Sequence, residues 1–268
     1  MKIIKVPFSE AGLGKTDGAE KAPDEILVHL NEMHLNESYQ RVQKYDIREV
    51  EIESSNISAN NQKITDAAAK EAKHALESKE KIIILGGNHA ITYAAFKGFA
   101  KHNKDAGLVV IDAHPDVLPE VGVQSHEDWL RLLIDEGTIR PDKVVIAGIR
   151  NTDNTEKDFL DMHKIKAYTM KHIYENTMYD FCDGLMETIR EWPCFYLSVD
   201  IDAADPSCAP GTGYPEPGGF SARELIYIIQ RLSRLKGMSI MDIVEVNPEK
   251  DINCITSKLA AKLIKETE

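Results

Sequence analysis

The sequence predicts an α/β fold, a three-layer αβα sandwich built on a mainly parallel central sheet. Three observations carry this reading. Apolar, β-branched runs alternate with segments of helical periodicity from one end of the chain to the other, the order that produces parallel strands joined by crossover helices. Two of the apolar runs end directly in acidic residues, and in an open α/β sheet the loops at the carboxyl ends of strands hold the ligand. No internal repeat, low-complexity tract or Gly/Ser linker interrupts the pattern, so residues 1–268 read as one domain, a size α/β enzymes commonly reach.

The strand candidates, in chain order, are residues 2–6, 81–85, 107–111, 143–147, 194–199 and 238–246. Helical patterns lie between them, for example over 64–77 and 154–162. One helix start is well marked: Ser221 with Glu224 forms a capping box, followed by Leu225, Ile228, Ile229, Leu232 and Leu235 at helical spacing. The stretches least like regular structure are 10–22, 118–125 and 203–219.

Composition narrows the function classes. With 43% hydrophobic and 28% charged residues, the chain contains no apolar run near the roughly 18–20 residues a membrane span requires. The opening MKIIKVPFSEAGLG lacks the apolar core and cleavage site of a secretory signal, so a cytoplasmic location is expected. Cys182, Cys194, Cys208 and Cys254 form no C-x-x-C pair, which speaks for free thiols rather than a disulfide framework or zinc ribbon. A net charge of -12 repels a phosphate backbone, so no nucleic-acid partner is expected.

The chemistry gathers at three strand ends. The run at 107–111 leads into Asp112-Ala113-His114-Pro115-Asp116, and in extended backbone residues two apart point the same way, so these side chains can converge. The run at 194–199 leads into Asp200-Ile201-Asp202, and the run at 81–85 into Gly86-Gly87-Asn88-His89. Carboxylates with imidazole suit divalent Mn, Fe, Co or Zn, and an excess of carboxylate leans toward Mn. Four acids and two histidines exceed what one ion takes; they suit two ions sharing carboxylates, which together lower the pKa of a water between them. His29, His34, His74, His102, His163 and His172 stand apart from these clusters and are given no role.

These segments resemble the arginase/agmatinase/formiminoglutamase superfamily, the ureohydrolases. GGNHA at 86–90 is similar to the family's GGDHS, and DAHPD at 112–116 to its D-A-H-x-D. SVDIDAADPSCAPGTGYPEPGG at 198–219 is similar to its S-x-D-x-D-x-x-D-P signature, and MDIVEVNPEKD at 241–251 to its closing E-x-N-P-x-x-D block. The resemblance implies metal ligands at His89, Asp112, His114, Asp116, Asp200 and Asp202, holding two Mn ions per subunit with Asp116 between them. In that family the ions activate a water that attacks a guanidinium carbon, and urea leaves together with an amine. Glu245 falls on the acid that pairs with the substrate guanidinium, a contact whose planar geometry suits a carboxylate. His126 falls on the histidine that hands a proton to the departing amine, and its spacing from Asp116 resembles the agmatinase branch. A homotrimer or homohexamer is also implied.

The chain departs from the pattern at three places. Asn88 stands where the family has Asp, which predicts a weaker metal site. Glu127 follows His126 where the family usually has Gly. Val117-Leu118-Pro119 replaces the polar residues with which arginases grip an amino-acid carboxylate, so agmatine or a related guanidino amine or acid is the expected small-molecule substrate. Left open are an arginase- or formiminoglutamase-type hydrolase, an amide deacetylase on a related fold, and a metal-binding regulatory protein without hydrolytic activity; His126 weighs against the formiminoglutamate branch. Gly12-Leu13-Gly14-Lys15-Thr16 ends like a phosphate-binding loop, but Ser9 occupies the position of its first Gly.

Overall fold

Eight strands join in the order β2-β1-β3-β8-β7-β4-β5-β6, and every pairing is parallel. They are β1 (Lys2–Val6), β2 (Asp46–Glu49), β3 (Ile82–Gly86), β4 (Gly107–Ile111), β5 (Val144–Ile149), β6 (Lys166–Thr169), β7 (Phe195–Asp200) and β8 (Met238–Val244). This computed structural model describes residues 1–268 except 42, 43, 54, 55, 79, 121 and 123, and omits the side chain of 76. Part of the 118–125 stretch singled out in the sequence therefore lies outside the described residues.

β3, β4, β5 and β7 are buried at every position, which is why their sequences read as unbroken apolar runs. Alternate side chains enter two separate cores. Leu85, Val109, Leu197 and Ile243 pack on one face against α1 (Ala22–Glu32), α7 (Met178–Ile189), α8 (Ala222–Leu232) and α9 (Ile255–Lys265). Ile84, Val110, Tyr196 and Ile240 pack on the other against α2 (Ile57–Ser78), α3 (Ile91–Ala100), α4 (Trp129–Asp135) and α5 (Asn154–His163). The three-layer sandwich read from the sequence is therefore the observed architecture.

All six expected strands form. β2 and β6 were not foreseen: they are short, polar and largely exposed, and they close the two edges of the sheet, where a charged or polar strand discourages pairing with another molecule. The Ser221–Glu224 capping box starts α8 as expected, and Asp153 with Glu156 forms another at the start of α5.

Register decides where the site sits. Leu85 pairs with Ile243, Ile243 with Val199, and Val199 with Ile111, so β3, β8, β7 and β4 end at one height. The residues just beyond them collect along one edge of the sheet. The loop after β1 lies on that edge: Gly87 N–H donates to Val6 O at 3.1 Å and Asn88 N–H to Phe8 O at 2.9 Å. The approach is too close for any side chain at Gly87, whose Cβ would stand 2.0 Å from Phe8 O. Gly87→Ala is accordingly expected to destabilise the fold by roughly 2 kcal/mol or more, read from the midpoint of urea unfolding.

Candidate metal centre

The ends of the four central strands bring His89, Asp112, His114, Asp116, Asp200, Asp202 and Glu245 together, and the segment between β4 and α4 adds His126. His89 Nδ1 lies 3.0 Å from Asp112 Oδ2, 3.0 Å from Asp116 Oδ2 and 3.2 Å from Asp200 Oδ2. His114 Nδ1 lies 3.1 Å from Asp202 Oδ2 and 3.6 Å from Asp112 Oδ1. The ligand atoms sort into two groups of metal-binding spacing, His89/Asp112/Asp200 and Asp112/His114/Asp202. Asp112 is common to both. Asp116, expected between two ions, instead sits on the His89 side and accepts a hydrogen bond from Trp129 Nε1 at 2.7 Å.

Four carboxylates buried together repel one another and lose hydration, a combination that disfavours their charged forms. Burial and the Asp112 charge push Asp116 up to about 6, and burial with neighbouring carboxylates raises Asp200 and Asp202 as well. Burial opposes charge on His89 and His114, but the surrounding carboxylates outweigh it and raise both. Asp112 Oδ2 and His89 Nδ1 are buried without a hydrogen-bond partner, and both belong to the first group. Two divalent cations would offset the clustered negative charge and take up these atoms, so the residues present fit a binuclear centre with carboxylate and imidazole donors.

Behind His89 lies a polar chain that sequence reasoning passed over. His89 Nε2 is 2.8 Å from Ser198 Oγ, whose hydroxyl donates to Asp242 Oδ1 at 2.7 Å. Asp242 Oδ2 accepts from Thr92 Oγ1 and Tyr196 OH, each at 2.7 Å, and the carboxylate is fully buried. Because the Ser198 proton points to Asp242, its oxygen is free to accept from Nε2–H, which leaves the Nδ1 lone pair facing the acids. The signal was present in the sequence as an acid inside the apolar run MSIMDIV.

Asn88 turns out to serve the neighbouring loop. Its Nδ2 donates to Ser9 O at 2.8 Å, whereas its Oδ1 is buried without a hydrogen-bond partner. A carboxylate here would meet the Ser9 carbonyl oxygen, so the amide holds the loop after β1, and the weaker metal site read from this exchange gains no support from the geometry.

Glu245 and His126 stand beside the ligands. Glu245 Oε1 accepts from His89 N–H at 2.7 Å and lies 3.3 Å from His126 Nδ1, which raises the imidazole pKa against the opposing effect of burial. Glu245 Oε2 and His126 Nε2 are buried with no hydrogen-bond partner, and both residues line the same small pocket. Leu118, Glu127, Glu156 and Tyr214 continue its wall. Glu245 and Asp116 both adopt left-handed backbone, with φ of 63° and 54°, a conformation that non-glycine residues adopt rarely and that gathers at functional sites.

A family model described as "Arginase family" matches residues 1–267. The chain belongs to the arginase family. An arginase of Staphylococcus aureus (strain COL) is 33% identical over 210 residues, 73% of this chain and 70% of that relative. The proclavaminate amidinohydrolase of Streptomyces clavuligerus is 34% identical over 74% of this chain and 64% of its own length. The crystal structure of formimidoylglutamase from Bacillus subtilis superposes with a TM-score of 0.91 at 26% identity, covering 99% of this chain and 85% of that one. These arginase-family relatives are hydrolytic enzymes acting on carbon–nitrogen bonds, and the present chain is an enzyme of that class.

Two outcomes test the site. Ser198→Ala or Asp242→Asn should weaken metal binding about 10–100-fold in titration calorimetry, because the His89 ring loses its orienting partner. Glu156, pushed up to about 7 mainly by burial, binds its proton more tightly folded than unfolded, so folding stability falls as pH rises from the ordinary carboxylate range to about 7. Glu156→Gln should remove that fall and be the more stable protein above pH 7, by on the order of 1 kcal/mol, in denaturant titrations across pH.

Proposed function

We propose that this arginase-family enzyme hydrolyses a linear guanidino compound in a Mn-dependent reaction, releasing urea and an amine, and that the substrate is a guanidino amine of the agmatine type. The observation that carries the reading is the meeting, in one pocket, of two His/Asp groups with a buried, unpartnered carboxylate oxygen on Glu245. That oxygen suits the planar N–H pair of a guanidinium. His89, Asp112, His114, Asp116, Asp200 and Asp202 would hold the ions. Two Mn ions bound there would supply Lewis acidity and lower the pKa of a water to near neutral.

The remaining work falls to the chain's own residues. Glu245 orients the guanidinium, with His126 at 3.3 Å keeping its charge directed. His126, with Nε2 buried and unpartnered on the pocket wall, is placed to give a proton to the departing amine. Asp116, anchored by Trp129, would accept a hydrogen bond from the attacking water.

The charge of the wall favours an amine over an acid at the substrate's far end. Glu127 adds negative charge beyond the ligands, Leu118 offers none, and no lysine or arginine is among the described lining residues. An ammonium is attracted there, whereas the carboxylate of arginine or formiminoglutamate is repelled. The four cysteines, all unpaired, support a reducing, cytoplasmic setting. Assembly as a homotrimer or homohexamer rests on the family resemblance and is read by analytical ultracentrifugation.

A urea-release screen with Mn supplied tests the proposal against agmatine, a guanidino acid, arginine and, by formamide release, formiminoglutamate. Turnover of the amine with kcat/KM well above that of the acids is the expected result; release from none of them would reject the hydrolase reading in favour of deacetylase or regulatory alternatives. Asp116→Asn should lower kcat at least about 100-fold, and Glu127→Gln should lower kcat/KM roughly tenfold for the amine only.

A further inference from the structure

A second cluster of ligating side chains lies outside the pocket, where α1 meets the start of α9. Glu25 and His29 are four residues apart on α1 and so share a face. His29 Nε2 is 3.2 Å from Glu25 Oε1. Cys254 stands immediately before α9. One nitrogen, one oxygen and the sulfur of these residues lie within 4.8 Å of one another. We propose that Glu25, His29 and Cys254 bind a single zinc-like divalent cation.

The spacing and the chemistry both fit. A tetrahedral ion with bonds of about 2.0 Å keeps its nitrogen and oxygen ligands about 3.3 Å apart, close to the separation of Nε2 and Oε1. Sulfur, nitrogen and oxygen donors together suit Zn, and the binuclear centre contains no sulfur. Glu32 Oε2 lies 3.2 Å from His29 Nδ1, the place from which a carboxylate fixes the ring of a metal-ligating histidine with its other nitrogen free to coordinate. His29 is only 8% exposed, while Glu25 and Cys254 reach the surface and leave a fourth position open to water. The thiol gives up its proton when sulfur bonds to the ion; Asp251 and Lys258 are the other charged groups that act on it. An ion here ties α1 to the segment that runs from Glu245 into α9.

Cobalt as a probe separates this site from the other. The enzyme, with its binuclear centre saturated by Mn, is titrated with Co²⁺ while near-ultraviolet absorbance follows thiolate-to-metal charge transfer, which the sulfur-free centre cannot produce. One equivalent per chain should saturate the band. Cys254→Ser should abolish it; Glu32→Gln should weaken Co²⁺ binding about 10–100-fold, and Cys208→Ser should leave it unchanged. Absence of a band in the parent protein, or its survival in Cys254→Ser, would overturn the assignment.

Discussion

Four aspartates gathered in a space nearly closed to water form an arrangement that the polypeptide alone disfavours. Asp112, Asp116, Asp200 and Asp202 are each no more than 8% exposed, and burial with mutual repulsion raises the pKa of three of them. Such a cluster persists when cations neutralise it and when the surrounding scaffold has enough stability to hold it in place. Much of the rest of the molecule can be understood as that scaffold.

The scaffold works by aligning strand ends. β3, β8, β7 and β4 are hydrogen-bonded neighbours whose last residues stand in register, so four segments far apart in the chain release their polar residues along one line. Two apolar cores, one on each face, fix the height of every strand, since a slip of one residue would exchange the faces of all its side chains. The polar chain from His89 through Ser198 to Asp242 crosses this apolar interior and is tolerated there because each of its members is hydrogen-bonded.

Around the metal-binding groups, the pocket takes its character from loops. Tyr214 comes from the irregular stretch after β7, and Leu118, His126 and Glu127 from the segment between β4 and α4. Glu156 enters from the capping box of α5, where the same carboxylate also accepts Val117 N–H at 3.3 Å. Loops can vary without disturbing the strand register, which places the selection of substrate in different residues from those that assemble the ligands.

The sequence by itself determined the sheet class, the six inner strands and the Asp and His residues that gather at the strand ends, because buried parallel strands are largely apolar and their abrupt endings in Asp and His stand out against that background. β2 and β6 escaped notice for the converse reason: edge strands are exposed and carry no apolar signature. Only tertiary structure decided that Asp112 rather than Asp116 is shared by the two ligand groups, that Asn88 faces Ser9, and that Asp242 stands behind His89. Those outcomes depend on distances between segments up to about 150 residues apart in the chain. Periodicity within one segment carries no information about which partner lies across from it; packing of the sheet and its loops supplies it.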